Sequence, residues 1–307
     1  MAYDYDVIVV GAGHAGSEAA VMAARLGART LLLTSNLDTI GQLSCNPAVG
    51  GIAKGTVVRE IDALGGIMGR ATDRATIQFR MLNRSKGPAV WAPRAQCDRT
   101  LYRRAARQLL EGFPTLALAQ GMVGRLVIAG GRISGVETTD GRAYAAGAVV
   151  LTAGTFLRGT IHLGTDTQIP AGRAGDQPAV AIAQHIDSLG FTVSRFKTGT
   201  PPRVDGRTVD WTKVTRQDGD TTDYRFSFYE RSERPPQVAC WLTWAGAEVQ
   251  EIIRRHLHES ALYGGAISGR GPRYCPSVED KVVKFPDAER HQVFLEPEGL
   301  DTHELYV

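Results

Sequence analysis

Apolar positions cluster from the start of the chain. Val7, Ile8, Val9 and Val10 run without a polar break, and residues 30–34 read T-L-L-L-T. Short continuous apolar runs of this kind predict strands buried on both faces of a parallel sheet. Between them, Ser17 to Leu26 is rich in alanine and carries Val21 and Met22, which predicts a helix. Val57, Val58, Ile61 and Leu64 recur at helical spacing, and Gly65-Gly66 end that element. Leu116 to Val150 alternates short apolar runs with turns. Gly130-Gly131 and Asp140-Gly141 are hairpin signals there, so a three-stranded meander is expected, followed by a strand from Ala148 to Thr152. Beyond it the pattern predicts a helix carrying Val180, Ile182 and Ile186, strands at Phe191 to Phe196 and Val238 to Thr243, and an amphipathic helix from Val249 to Leu257. Pro201-Pro202 breaks any regular element and marks a domain crossing.

The first strand runs directly into G-A-G-H-A-G, with Gly11, Gly13 and Gly16 in the spacing of a dinucleotide-binding turn. In such a turn the first glycine allows a tight bend and the second lets a pyrophosphate approach the backbone. The third lets helix and strand pack closely. The helix N-terminus then meets phosphate with free N–H groups and a positive dipole end. Strand, turn, helix and second strand all agree, which separates this motif from an ordinary glycine-rich turn. The second strand ends in Ser35 and Asn36, where a ribose-binding Asp or Glu is usual, so Asn36, Asp38 or a neighbouring loop is left for that role. A meander followed by a strand closing on Ala153-Gly154-Thr155 is a feature of FAD-binding two-dinucleotide folds and lifts FAD above NAD for the first turn. The expected class is therefore α/β, a Rossmann-like FAD/NAD-binding fold with a β-meander and an inserted α+β domain. Residues 1–200 would bind FAD, 201–275 would form the inserted NAD- or substrate-binding domain, and 276–307 would return to the first.

Bulk composition excludes some classes. Of 307 residues, 43% are hydrophobic and 22% charged, an ordinary globular balance, and the net charge of +3 does not make the whole chain an RNA- or membrane-coating polycation. No charged-then-apolar leader precedes the first strand and no apolar run is long enough to span a membrane, so a cytoplasmic enzyme is expected. The four cysteines, Cys45, Cys97, Cys240 and Cys275, show no C-x-x-C pair or zinc-like spacing. His256 and His258 stand one residue apart on a helix and do not share a face, so no metal site is expected. Cys45 lies in the long glycine-rich loop N-L-D-T-I-G-Q-L-S-C-N-P-A-V-G-G-I-A-K-G. Lys54 and the helix start near Gly55 could stabilise its thiolate, although spacing alone favours a small buried residue. Arg80, Arg84, Lys86, Arg94, Arg99, Arg103 and Arg104 are interleaved with Phe79 and Trp91. That cluster suits either an RNA grip or a solvated face with cofactor-phosphate contacts.

Five stretches together resemble the MnmG (GidA) family of FAD-containing tRNA-modifying enzymes: G-A-G-H-A-G at 11–16, S-C-N-P-A-V-G-G at 44–51, S-K-G-P-A-V-W at 85–91, K-T-G-T-P-P-R at 197–203 and G-P-R-Y-C-P-S-V-E-D-K at 271–281. The resemblance covers the whole chain. It implies FAD, reduced by NADH, and a one-carbon unit from methylenetetrahydrofolate. It also implies the GTPase partner MnmE, a homodimer, and formation of a carboxymethylaminomethyl or aminomethyl group on the wobble uridine of tRNA. By motif, Gly11, Ala12, Gly13, His14, Ala15 and Gly16 would hold the FAD pyrophosphate, with Val123 on the adenine side. Gly271, Pro272, Arg273, Tyr274, Pro276, Ser277, Val278, Glu279, Asp280, Lys281, Val282, Val283, Lys284 and Phe285 would belong to the NAD-binding segment. Cys45 and Cys275 match the family's two implicated cysteines, which reverses the reading of Cys45 from spacing. Lys54, Arg203 and Lys281 become candidate phosphate or substrate contacts. The family's pattern continues beyond the final H-E-L-Y-V, so the chain is expected to be its N-terminal portion. The competing expectations are a folate- and FAD-dependent tRNA methyltransferase and a nucleotide-binding module without turnover.

Overall fold

The computed structural model describes residues 4–267 and 277–307. Strand β1 (Tyr5–Val10) turns into helix α1 (His14–Arg25), which returns to β2 (Thr30–Thr34). Then come β3 (Ala48–Gly50), α2 (Lys54–Ala63), α3 (Met68–Ala75), β4 (Thr76–Leu82), β5 (Ala92–Cys97) and α4 (Arg99–Glu111). The chain next adds β6 (Leu116–Gln120), β7 (Val123–Ala129), β8 (Arg132–Thr138) and β9 (Ala143–Leu151). These strands build a six-stranded sheet in the order β6-β2-β1-β9-β8-β7. β1 pairs in parallel with β2 and β9, and β2 with β6, while β7, β8 and β9 form an antiparallel meander. The meander's third strand and the expected closing strand are thus one nine-residue element that joins the parallel strands to the antiparallel meander.

Alternation along β1 and β2 explains their continuous apolar runs. Val9 and Leu32 face a core made with α1, α3 and α4, whereas Ile8, Val10, Leu31 and Leu33 face a second core with the meander and Ile182. Helix α1 buries Gly16, Ser17, Ala20, Val21 and Ala24, a stripe of small residues that lets it lie close to the sheet. Asp98 caps α4 by accepting from Leu101 N at 2.8 Å. Strands β3, β5 and β4 form a separate antiparallel sheet beside this core.

After the hairpin β10 (Thr160–Leu163) and β11 (Thr167–Pro170) comes α5 (Val180–Ser188), the expected helix. Residues 191–200 carry no regular structure, contrary to the strand expected at Phe191 to Phe196, and Phe191 and Phe196 are exposed. A five-stranded antiparallel sheet follows. It is built from β12 (Arg203–Asp205), β13 (Thr215–Gln217), β14 (Cys240–Ala245), β15 (His291–Pro297) and β16 (Glu304–Tyr306), in the order β12-β16-β15-β14-β13. Helices α6 (Ala247–His256) and α7 (Val278–Lys284) lie between β14 and β15 in sequence. The segment expected to return to the first domain therefore pairs with strands from the stretch after Pro202.

One stretch of that later region packs elsewhere. Phe226 is fully buried in the core of the first sheet, and Tyr224 stacks on Phe79 with ring centroids 5.3 Å apart. Two buried carboxylates hold it there. Asp73 accepts from Phe226 N at 2.9 Å and Ser227 N at 2.8 Å, and Asp62 accepts from Phe228 N at 2.7 Å. Arg59 lies 3.4 Å from the Phe228 ring centroid and donates to the carbonyls of Arg225 and Phe226.

Candidate dinucleotide site and cysteine loop

Each of the three glycines meets a different physical demand. Gly11 has φ +98° and donates to Leu33 O at 2.8 Å, which bends the chain off the strand. A Cβ on Gly16 would stand 1.7 Å from Gly11 O, so α1 can lie this close to the turn only with hydrogen there. A Cβ on Gly13 would meet nothing within 4 Å, so this glycine faces open space. Gly13 is also the N-cap of α1 and supplies no side-chain cap. An open backbone beside an uncapped helix start fits the diphosphate of a dinucleotide. Thr152, just past β9, braces the turn by donating to Val10 O at 2.8 Å and Gly11 O at 2.9 Å.

The remaining motif residues divide. Ala12 is buried and Ala15 exposed. His14 is partly buried, its Nδ1 lying 3.5 Å from the Tyr102 hydroxyl, and burial pulls its pKa down, which favours the neutral imidazole. Glu18, one turn on, accepts from Ile67 N at 3.1 Å and Met68 N at 2.6 Å and so caps α3 from a neighbouring helix. Past β2, Asn36 Oδ1 accepts from Asp38 N at 2.8 Å, which commits it to a local cap, while the Asp38 side chain is 86% exposed. Val123 is buried in the second core, leaving only its main chain for a ligand.

Cys45 is exposed, whereas Cys97 and Cys240 are buried. Burial raises both of those thiols, Cys240 to about 12 and Cys97 further, so neither ionises readily. Around Cys45 the loop is gripped by cations. Arg173 donates to Ser44 Oγ at 2.8 Å, and Arg203 donates to Ser44 O at 3.3 Å and to Cys45 O. Arg203 is itself held by the buried carboxylate of Glu298 at 3.0 Å, which also pairs with Arg99. Asn46 donates to Glu296 at 3.0 Å, and Glu296 pairs with Arg94 at 2.6 Å. Arg94 and Arg99, counted above within a possible RNA grip, are therefore engaged inside the molecule by Glu296 of β15 and by Glu298 just past it. Arg173, through Ser44, and Tyr306, whose ring centroid lies 5.0 Å from the Arg203 guanidinium, join this site although no sequence motif pointed to them. Their signal was invisible because each is more than one hundred residues from Cys45.

The second candidate cysteine, Cys275, and with it Gly271, Pro272, Arg273, Tyr274 and Pro276, lies outside the described residues. The rest of that segment forms α7. Ser277 and Asp280 make a capping box, Val282 is buried, and Lys281 donates to Gln292 O at 3.4 Å. A Cβ on Gly199 would lie 3.2 Å from Ser277 Cβ, so α7 starts beside the K-T-G-T-P-P-R segment. His256 and His258 both reach Glu259, at 2.8 and 3.6 Å. No cluster of three or more His, Cys, Asp or Glu suited to a metal ion occurs among the described residues, and no helix among them is long and apolar enough to cross a membrane.

Parallel strands, a glycine turn open at its second glycine and an antiparallel meander in the same sheet define the Rossmann-like fold of the FAD/NAD-binding class. The chain belongs to the GidA family: residues 6–307 match the family model described as glucose inhibited division protein A. It is 54% identical over 303 residues to the tRNA uridine 5-carboxymethylaminomethyl modification enzyme MnmG of Thermodesulfovibrio yellowstonii, covering 99% of this chain and 48% of that protein. Two crystal forms of Aquifex aeolicus GidA superpose with TM-scores of 0.90 and 0.88 at 51% and 48% identity, each over 98% of this chain. The matches cover 51% and 49% of those chains, so this chain spans about half the length of the relatives it matches.

Proposed function

We propose that the chain is the FAD-holding portion of an enzyme that modifies uridine in tRNA, forming the 5-carboxymethylaminomethyl (or aminomethyl) group at the wobble position. The observation that carries the reading is the open backbone at Gly13 beneath an uncapped helix, in a chain whose relative bears that activity in its name. Gly11, Gly13 and Gly16 would hold the FAD diphosphate, and the main chain of Val123 would meet the adenine side. When bound, FAD would supply the redox chemistry, with NADH as reductant and methylenetetrahydrofolate as the one-carbon source. Cys45 would add as thiolate to C6 of the uracil, which makes C5 nucleophilic. Arg173 and Arg203 hold the loop that carries this exposed thiol, through Ser44 Oγ and the Cys45 carbonyl. Cys275 and residues 277–285 would serve the second thiol and NADH, while MnmE, a second copy of the chain and the cytoplasm complete the reading.

The test is spectroscopic. The purified chain, alone or titrated with FAD, should turn yellow, and the flavin band should bleach with NADH. A chain that stays colourless at saturating FAD would overturn the proposal.

A further inference from the structure

The corner where β1, α1 and β9 meet sorts the backbone groups of the glycine turn. Four consecutive carbonyls are taken up inside the protein. Val10 O accepts from Thr152 N at 2.9 Å and Gly11 O from the Thr152 hydroxyl at 2.9 Å. Ala12 O accepts from Gly41 N at 2.9 Å and Gly13 O from Ser17 N at 2.9 Å. The Thr152 hydroxyl is shared, since it reaches Val10 O at 2.8 Å as well. Among the described residues, Gly11 O is the one carbonyl of the four that is held by a side chain and by no main-chain N–H. The donors of the turn are left differently. The N–H groups of Ala12 and Gly13 meet no acceptor among the described residues, although Ala12 is only 4% exposed. A buried donor without an acceptor is costly, so this pair is suited to a ligand that supplies one.

The peptide joining Gly11 to Ala12 is trans, so its N–H lies on the side opposite its carbonyl. Holding Gly11 O toward the end of β9 therefore turns the Ala12 N–H away from that strand. The corner itself is full. A Cβ on Gly16 would lie 2.6 Å from Thr152 Oγ1, and one on Gly11 would lie 2.6 Å from Thr152 O. We propose that Thr152 is the positioning residue of the dinucleotide turn: its hydroxyl fixes the Gly11 carbonyl and so leaves the Ala12 N–H, next to that of Gly13, as a donor pair for the ligand's diphosphate. The inference rests on the reading of the turn as a dinucleotide site, and it assigns the aim of that turn to a side chain outside the glycine motif.

The experiment titrates the 307-residue chain with FAD, read by flavin fluorescence, and with ADP, read by calorimetry. ADP carries the same diphosphate without the isoalloxazine. Thr152→Ser and Thr152→Ala differ from each other only by the hydroxyl. The serine variant should bind both ligands within about twofold of wild type, and the alanine variant about tenfold more weakly, the worth of one hydrogen bond. A purely structural threonine would lower the urea midpoint of Thr152→Ala and leave both Kd values in place. Unmoved Kd values in folded Thr152→Ala, or a serine variant as weak as the alanine one, overturns the proposal. Should Thr152→Ala fail to fold, Thr152→Val takes its place under the same rule. Failure of both while Thr152→Ser folds would assign the hydroxyl to folding and overturn the proposal as well. A wild-type chain that binds ADP but not FAD sinks the flavin reading alone, and the ADP titrations then decide the role of Thr152. A wild-type chain that binds neither overturns both.

Discussion

At the scale of single residues, Gly13 and Gly16 separate ligand recognition from folding. An alanine at 16 places its Cβ 1.7 Å from Gly11 O, so helix and turn must move apart. Overpacking of that order costs about 3 kcal/mol. An alanine at 13 meets no protein atom within 4 Å, and its φ of −71° suits any residue. Its cost to folding is that of a poorer N-cap, at most about 1 kcal/mol. Gly16→Ala should therefore shift the urea midpoint strongly. Gly13→Ala should leave it nearly in place yet weaken FAD binding about tenfold or more, because its methyl occupies the space a diphosphate needs. Flavin titration beside urea denaturation of both variants checks this. Equal destabilisation of the two, or unchanged FAD affinity in Gly13→Ala, would contradict the assignment of the turn.

Among the elements, the first βαβ unit and the meander were legible because local pattern and local packing agree. Val7 to Val10 read as doubly buried, and they are covered by a core on each face of the sheet. Phe191 to Phe196 also carries strand-like residues, but pattern alone makes no strand without a neighbour to bond, and no strand pairs with it among the described residues. The surroundings of Cys45 were illegible for a related reason. Arg94 and Arg99 look like a free basic patch until Glu296 and Glu298 arrive from some two hundred residues away. Asp73 is a similar case, an ordinary helix residue whose burial beneath the 226–227 backbone pushes its carboxyl up to about 6. The folded chain thus takes up a proton near pH 6 that the unfolded chain takes up only near 3.8. This group's contribution is most favourable at low pH and is lost as pH rises through 6. Wild type should gain stability relative to Asp73→Asn when the pH is lowered from about 7 to about 5, by roughly 1–2 kcal/mol. Urea midpoints of the two proteins at both pH values measure the difference, and parallel profiles would refute the shifted carboxyl.

The molecule as a whole is held together by contacts that bypass its most irregular connection. Residues 191–200 carry no regular structure and expose Phe191, Val193 and Phe196, yet the regions on either side are bound to each other repeatedly. Phe226 is fully buried in the first core, Asp62 and Asp73 accept three main-chain N–H groups from 226–228, and Arg74 forks onto Glu230 at 2.6 and 2.9 Å. At the far end, Gln96 donates to Pro297 O at 2.9 Å and Leu300 N donates to Asp98 at 2.7 Å. A cut in the connection therefore removes covalent continuity and little of the packing. Exposed segments without regular structure are preferred sites of proteolytic nicking. Brief trypsin treatment should cleave after Arg195 or Lys197, and the resulting pieces should co-elute with the intact chain on gel filtration under native conditions. They should separate only in denaturant. Separation of the pieces without denaturant would mean that the buried carboxylates and the Phe226 anchor hold far less than their geometry implies. The Arg203 grip on the carbonyls of Ser44 and Cys45 would then depend on an unbroken chain.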